Sequence, residues 1–354
     1  MSGLLSVPNC PFKNFRNKKG PLIDIRSPKE YSQGHWPGAT NIPLFTDKER
    51  EIIGIAYKKE GSKKAISKGI KLVIPKLKSL KCSIELLYKK EIIKGTSQDS
   101  FHLRFYCWRG GMRSRSVVWL SNHLGIPAIQ LNGGYKSYRK WVLKEFEKSW
   151  PIKLIGGKTG AGKTELLLSL SNKNISIIDL EGLANHRGSS FGGLGLPLQP
   201  SCEQYENLIA ESLNYCVQNS KSHIWLEDES PNLGKCRIPN NLVKQMRKAD
   251  VLEIVKTKEE RIQQLIKVYS NHSQSELEDA VLRITKRLGP ERTKLALNAI
   301  RAKDWSTACS IILEYYDKCY DHQLKKVSKL KTIDISYIDN NIAADRLIKD
   351  GLIY

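Results

Sequence analysis

The stretch Gly157-Lys-Thr-Gly-Ala-Gly-Lys-Thr164 follows directly on the apolar run Ile152-Lys-Leu-Ile155 and satisfies the spacing G-x-x-x-x-G-K-[ST]. Such a loop needs a strand before it and a helix after it, because backbone N–H groups at a helix N-terminus then converge on an anion. The pattern commits this part of the chain to an α/β unit that grips a polyphosphate. Gly157, Gly160 and Gly162, with Lys158, Thr159 and Ala161 between them, let the backbone wrap a phosphate. Lys163 brings a point charge, and the Thr164 hydroxyl can hold Mg2+. A chance match in a structural turn would not carry the flanking strand and helix.

Acids follow the next apolar runs. Asp179 ends Ile175–Leu180 and Asp228 follows His223-Ile-Trp-Leu226, so either can organise Mg2+ or a water, or be an ordinary strand-end acid. Between them the run from Asp179 to Gly193 is polar and rich in glycine, too elaborate for a plain connection. Glu181, His186 and Arg187 in this run are candidates for metal or substrate, His186 as a proton donor and Arg187 as a bidentate anion clamp. The bland alternative is a flexible linker.

Upstream lies a chemically different loop, Cys107-Trp-Arg-Gly-Gly-Met-Arg113, after the alternating run Phe101-His-Leu-Arg-Phe-Tyr106 and before a helical pattern from Arg113 to Leu124. A sulfur at a helix N-terminus, near Arg109 and Arg113, is favoured as thiolate and so as nucleophile. A buried structural cysteine would not explain Gly110 and Gly111 beside two arginines, with Trp108 and Met112 between. The spacing C-x5-R also fits a cysteine phosphatase, and spacing alone leaves chalcogen transfer and phosphatase chemistry both open.

At 354 residues the chain exceeds the size at which one core keeps growing, and the loops fall on either side of position 150. Two domains are expected, 1–145 and 150–354, with Pro151 at the boundary. In the first, Leu22-Ile-Asp-Ile25 reads as a strand, Ser27-Pro28 as a helix start, Gly34 to Pro43 as a loop, and Ala128–Leu131 as a strand. Tyr135 to Trp150 reads as a connecting helix. In the second, alternating strands and helices predict a mainly parallel sheet, and from about residue 240 to Leu330 the pattern reads as helical, with a capping box at Ser273–Glu276.

Eight cysteines (10, 82, 107, 202, 216, 236, 309, 319) show no C-x-x-C pair and no zinc spacing, which argues against a disulfide framework or a structural metal. No run has the length of apolar sequence that a membrane span needs, and the N-terminus does not read as a secretion signal, so a cytosolic protein with no membrane partner is expected. Lys plus Arg outnumber Asp plus Glu by 58 to 36, a net charge of +22, which favours a polyanionic partner. From Lys58 to Lys94 there are twelve lysines against three glutamates, a solvated helical face or part of an RNA-binding surface.

Leu22-Ile-Asp-Ile-Arg-Ser-Pro-Lys-Glu-Tyr31, Gly34-His-Trp-Pro-Gly-Ala-Thr-Asn-Ile-Pro43 and the loop cysteine occur in the order used by rhodanese domains, and the first domain resembles one. That favours chalcogen transfer over phosphatase chemistry. With Tyr106-Cys-Trp-Arg-Gly-Gly-Met-Arg-Ser114, then the phosphate loop, then Asp179-Leu-Glu-Gly-Leu-Ala-Asn-His-Arg-Gly-Ser189 and Leu226-Glu-Asp-Glu-Ser230, the chain over residues 15–330 resembles the bacterial tRNA 2-selenouridine synthase family.

The resemblance implies a rhodanese-like α/β domain joined to a P-loop NTPase-like domain, mainly parallel, with a helical C-terminal part. It implies a transferase acting on tRNA with 2-thiouridine at the wobble position, with selenophosphate and geranyl diphosphate as co-substrates and an S-geranyl intermediate. No tightly bound cofactor is implied, apart from an optional Mg2+. The diphosphate would sit on Gly157–Thr164 and selenophosphate in the loop Cys107–Arg113. Cys107 would carry selenium as a perselenide or assist attack on C2, and with one cysteine in the loop a perselenide has no adjacent resolving thiol. Two other classes remain open from residues alone. One is a nucleotide-driven switch or kinase with a rhodanese binding module, and the other a nucleic-acid-binding protein without catalysis. The oligomeric state is not legible.

Overall fold

The computed structural model describes residues 7–93, 101–219, 222–324 and 330–354, and the chain divides into two compact units, 1–144 and 145–354. The first is built on a five-stranded parallel sheet of β1 (Asn9–Cys10), β2 (Leu22–Asp24), β3 (Thr40–Asn41), β4 (Leu103–Tyr106) and β5 (Ala128–Leu131), in the order β1-β5-β4-β2-β3. Leu22, Ile23, Leu103, Phe105, Ile129 and Leu131 are all buried, the near-continuous apolar pattern of parallel strands. The helix expected after Ser27 runs Pro28–Gln33, where Ser27 Oγ accepts from the Glu30 amide and Glu30 accepts in return from the Ser27 amide.

The lysine-rich stretch forms the helices Asp47–Glu60, Ser62–Val73 and Leu77–Ile93, with Lys94 outside the described residues. Small buried residues, Ala56, Ala65 and Gly69, let the first two helices approach closely, and Lys63, Lys64 and Lys68 remain exposed. The helix expected from Tyr135 to Trp150 is shorter, Gly134–Glu145. Beyond it the Trp150 indole N–H donates to the Glu145 carbonyl at 2.9 Å, and Pro151 disfavours helical backbone at the residue before it.

The second unit carries a parallel sheet of β6 (Ile152–Gly156), β7 (Ile177–Ile178), β8 (Ile224–Glu227), β11 (Asp250–Val255) and β12 (Leu330–Asp334), ordered β12-β11-β6-β8-β7. A short antiparallel hairpin, β9 (Asn232–Leu233) and β10 (Cys236–Arg237), lies between β8 and β11 in sequence. Two expectations are corrected here. The region after residue 240 is not wholly helical, because β11 and β12 extend the sheet from β6 outward. Asp250, Glu253 and Lys256 disguise the buried core of β11, Val251, Leu252 and Ile254, and Glu253 is satisfied by the Thr332 hydroxyl at 2.9 Å. The strand expected at Ile175–Leu180 is only Ile177–Ile178, since Asp179 starts a helix, Leu180–Ala184.

The helices Gln274–Leu282, Thr285–Leu288, Pro290–Arg301 and Trp305–Leu324 form a second apolar cluster with Phe191, including Leu277, Val281, Ala296, Ile300 and Ile312, separate from the sheet core around Ile155, Leu166, Leu252 and Leu347. Ser273 and Glu276 make the expected capping box. The unit is a P-loop NTPase-like α/β fold with a helical C-terminal part. Among the described residues no helix is long and apolar enough to cross a membrane.

Candidate functional site

The phosphate loop joins β6 to the helix Lys163–Ser171, and Gly157, Gly160 and Gly162 take φ values of +152°, +81° and +84°. Arg261 braces the loop from outside. Its guanidinium donates to the Thr159 carbonyl at 3.2 Å and pairs with both carboxylate oxygens of Asp317 at 2.7 and 2.8 Å. Lys158 points away to Asp321 at 2.9 Å. Lys163 turns inward, donating to the Gly157 carbonyl at 3.1 Å with Glu229 at 3.6 Å. Burial alone would lower its pKa, but Glu229, Glu181, Glu227 and Asp228 outweigh burial and hold it above the usual value.

Those acids form a site that sequence reading only half found. Glu181, Glu227 and Glu229 each offer a carboxylate oxygen, all within 4.8 Å of one another. Glu181 is pushed up to about 10, first by burial and then by Glu229 and Glu227. Glu227 is pushed up to about 8, again by burial first. Neither oxygen of the fully buried Glu227 has a hydrogen-bond partner among the described residues, although Thr164 is close enough to favour its charged form. The Thr164 hydroxyl donates to Glu181 at 3.4 Å. Three crowded carboxylates with unused lone pairs, beside the threonine of a phosphate loop, suit a hard divalent cation such as Mg2+, which takes oxygen ligands.

Asp179 and Asp228 stand apart from this trio. Asp179 caps Leu180–Ala184, accepting from the Gly182 amide at 2.7 Å, so it does the work of an ordinary cap while lining the same cavity. The Asp228 amide donates to the Ile155 carbonyl, tying β8 to β6, and its carboxyl is raised by burial and then by Glu229. The run after Asp179 is ordered. Gly188, at φ +61°, passes so close to the acids that a Cβ there would lie 2.7 Å from Glu229 Oε2 and 2.9 Å from Glu181 Oε1, so a side chain would intrude on the trio. His186 does not line the cavity. Its ring lies against Gly192 and Gly234, burial lowers its pKa, and its Nδ1 has no partner, so a charged proton donor is disfavoured there. Arg187 does line the cavity, donating to the Leu194 carbonyl at 2.9 Å with its guanidinium 5.8 Å from the Tyr269 ring centroid.

The cavity holds about 640 Å3 and has two chemically unlike ends. One is the phosphate loop with Glu181, Glu229 and Arg187. The other is apolar and aromatic, with Phe191, Leu277, Ile300, Trp305, Ile312 and Tyr316 from the helical part. Nothing in the phosphate-loop spacing announces this second chamber, because its residues are scattered along several helices.

In the first unit Cys107 follows β4 and is buried, and the loop leads into the helix Met112–His123. The Cys107 and Trp108 carbonyls accept from the Tyr135 and Lys136 amides at 2.8 and 3.0 Å, which pins the loop to the start of the next helix. Gly110 has φ +63°, and a Cβ there would come within 2.4 Å of the Leu131 carbonyl oxygen. Trp108, Arg109 and Met112 form an exposed rim, while Gly111 caps the helix. Arg113 is already engaged. It donates to Glu30 at 2.7 Å, and Glu30 also accepts from Arg50; burial opposes the charged form of Glu30, but Arg113 prevails and holds its pKa low. Within the loop Cys107 Sγ lies 3.2 Å from Ser114 Oγ, which accepts from Gln130 Nε2 at 2.7 Å. Beneath, Arg26 is fully buried on Asp24 with its guanidinium 3.8 Å from the Tyr135 ring centroid.

The model of the tRNA 2-selenouridine synthase AAA domain matches residues 150–340, and that of the rhodanese-like domain matches residues 12–140. The chain belongs to the tRNA 2-selenouridine synthase family. A protein of that name from Sulfurovum sp. is 33% identical over 350 residues, 89% of this chain and 92% of that one. Those from Hydrogenovibrio crunogenus and Marinobacter nauticus are 33% and 34% identical, over 89% and 86% of this chain and 92% and 88% of theirs. Both modules are therefore present in this chain, the rhodanese-like one with the loop at Cys107 and the AAA-domain one with the loop Gly157–Thr164. The residues that sequence reading missed around the loops are Glu227 and Glu229, Arg261 with Asp317, Glu30, and the pair Ser114 and Gln130. One signal was available: Glu227 and Glu229 flank Asp228 in a run of three acids straight after an apolar strand.

Proposed function

We propose that this chain modifies tRNA, converting 2-thiouridine at the wobble position to 2-selenouridine with selenophosphate, by way of an S-geranyl intermediate made from geranyl diphosphate. The observation that carries this reading is the two-ended cavity of the second unit, a phosphate loop opening onto an apolar chamber. That pairing matches a ligand with a diphosphate head and a hydrocarbon tail. In the first step the thiocarbonyl sulfur attacks C1 of the geranyl group, the C–O bond breaks, and diphosphate departs onto Gly157–Thr164. Loop N–H dipoles and Lys163 stabilise the charge that develops on it. Mg2+ held by Glu181, Glu227 and Glu229 would neutralise diphosphate oxygens and relieve the repulsion among the carboxylates.

Alkylation changes the leaving group at C2 from a poor thiolate to a thiol that can depart. Selenium then replaces the geranylthio group, and the loop around Cys107 is the site assigned to this step. A perselenide on Cys107 would need a two-electron oxidant, because selenophosphate carries selenium at the selenide level. The role that balances is therefore assistance at C2: the C–Se bond forms, the C–S bond breaks with departure of geranylthiol, and water takes the phosphoryl group from selenium as phosphate. Arg109, on the exposed rim and without an ion pair among the described residues, would take the phosphate of the donor, while Arg113 would have to share or leave Glu30. The net charge of +22 and the exposed lysines of the first unit support a polyanion such as tRNA as the partner.

The experiment is nucleoside mass spectrometry of 2-thiouridine tRNA incubated with the protein, geranyl diphosphate and selenophosphate, singly and together. Geranylthio-uridine with the first reagent and selenouridine with both are expected. Unchanged tRNA, with steady ATP or GTP hydrolysis stimulated by tRNA, would replace this reading with a nucleotide-driven switch.

A further inference from the structure

Gln130 is a fully buried amide in the middle of β5, between Ile129 and Leu131, where every other side chain is apolar. A polar group in such a place is retained at a penalty unless it is hydrogen-bonded, and here the Nε2 end is bonded while Oε1 has no partner among the described residues. Its Nε2 lies 3.1 Å from the Gly111 carbonyl oxygen and 2.7 Å from Ser114 Oγ. A carbonyl can only accept, so the contact with Gly111 fixes which end of the amide faces the loop. The same nitrogen must then donate its second proton to Ser114. The Gly111 carbonyl also accepts from the Arg115 amide at 3.1 Å, so both of its lone pairs are taken and its contact with Ser114 Oγ, at 3.4 Å, is the longest of the three. Ser114, buried and already accepting, has one proton and two acceptors within reach, the Gly111 carbonyl at 3.4 Å and the Cys107 sulfur at 3.2 Å, and negative charge on the sulfur draws that proton to it.

We infer that Ser114 is a positioning residue for the chemistry at Cys107, its hydroxyl oriented by Gln130 to donate a hydrogen bond to the sulfur when that sulfur is an anion. The chain of donors runs in one direction, Gln130 to Ser114 to Cys107. It gives a sulfur with little exposure to water a fixed partner for negative charge, and a hydrogen bond to a charged group is roughly twice as strong as a neutral one. Gln130 acts one step removed, by preventing the hydroxyl from turning away. This inference deepens the reading of Cys107 as the reacting residue and rests on it.

The test reads the sulfur directly. The full-length protein is alkylated with iodoacetamide, and modification of Cys107 is followed by peptide mass spectrometry across a pH series. Ser114→Ala should slow alkylation of Cys107 at neutral pH by roughly tenfold, the low end of what one hydrogen bond to a charged group is worth. The deficit should narrow as pH rises, and Ser114→Thr, which keeps a hydroxyl, should recover most of the rate. Equal rates for Ser114→Ala and wild type would overturn the inference, and so would a deficit that persists at every pH, which would indicate altered access instead. Should Ser114→Ala fail to fold, Gln130→Met decides. It should slow alkylation at neutral pH by about two- to threefold, less than a full bond because the hydroxyl can still rotate into place. An unchanged rate would overturn the inference. Selenation by Cys107→Ser is measured in parallel. If that variant selenates tRNA at the wild-type rate, the reading of Cys107 fails, while the alkylation result still judges the hydrogen bond.

Discussion

The loops at Cys107 and at Lys163 present opposite electrostatic situations. Around Cys107 the charged groups are paired, Arg113 with Glu30 and Arg26 with Asp24, and Ser114 is bonded to Gln130, although Gln130 Oε1 and Arg26 Nη1 are buried without a hydrogen-bond partner among the described residues. Around Lys163 they are not, with three carboxylates crowded together, two of them raised far above the usual range and Glu227 without a hydrogen bond on either oxygen among the described residues. The first arrangement has its buried charges paired and presents a rim of Trp108, Arg109 and Met112 to an incoming reagent. The second is incomplete and becomes balanced only with a ligand that brings positive charge. Preorganisation suits a site that handles a reactive atom, whereas unmet charge suits a site that must hold and then release a highly charged leaving group.

This contrast can be broken in several ways, taken here from the largest expected effect downward. Arg261→Ala removes one partner of a nearly buried ion pair that braces the phosphate loop, so chemical denaturation should report a loss of about 3–5 kcal/mol, with prenyl transfer failing as well. A loss well below ~1 kcal/mol would mean that the brace is idle. Glu227→Gln addresses the acids. A carboxyl raised in the folded state contributes stability that is present below its unfolded value of 4.5 and lost as pH rises through about 8. Wild-type protein without divalent ions should therefore lose stability over that window, and Glu227→Gln should lose less, leaving it the more stable at pH about 8 by more than ~1 kcal/mol. Mg2+ should raise the wild-type melting temperature more at pH about 8 than at pH about 6, where carboxyls hold protons against it, and should do little for the variant. Superimposable stability profiles would remove the acid trio from the account.

Smaller effects probe the chamber and the surface. Ala308→Trp fills the apolar end of the cavity and should raise KM for geranyl diphosphate by about tenfold, while inhibition by inorganic diphosphate stays unchanged. Equal loss for both ligands would place the tail elsewhere. Reversing Lys63, Lys64 and Lys68 should reduce the slope of log affinity for tRNA against log salt by about two, since each phosphate contact contributes roughly 0.7–0.9. An unchanged slope would take these helices out of the RNA footprint.

Much of the architecture was legible because its signals are local. The phosphate loop between β6 and its helix, the Ser27 cap, the loop at Cys107 and the Ser273 capping box each occupy a few consecutive residues. What escaped depends on residues far apart in sequence. β11 is a short strand dressed in charges and β12 pairs with it from about eighty positions away, so neither shows the alternation or the apolar run that marks a strand. Arg261 meets Thr159 and Asp317 only because two helices fold back on the loop. The chamber behind the phosphate loop is likewise assembled from Phe191, Leu277 and Trp305, each an ordinary core residue in its own segment. Asp179 shows an ambiguity of the opposite kind: its position after a strand leaves a metal-organising and an ordinary reading both open, and in the fold it caps a helix while lining the cavity. Arg113 was read as free for an anion, and only the fold brings Glu30 to it.

The central claim, that alkylation belongs to the phosphate-loop cavity and selenation to the Cys107 loop, is tested most directly by a reciprocal single-turnover experiment. Lys163→Ala and Cys107→Ser are each given 2-thiouridine tRNA with geranyl diphosphate and, separately, tRNA geranylated beforehand with selenophosphate, and the nucleosides are quantified by mass spectrometry. The account predicts that Lys163→Ala loses geranylation by about 100-fold or more yet selenates the geranylated tRNA near the wild-type rate, with Cys107→Ser showing the reverse. Loss of both steps in both variants, or wild-type selenation by Cys107→Ser, would contradict it.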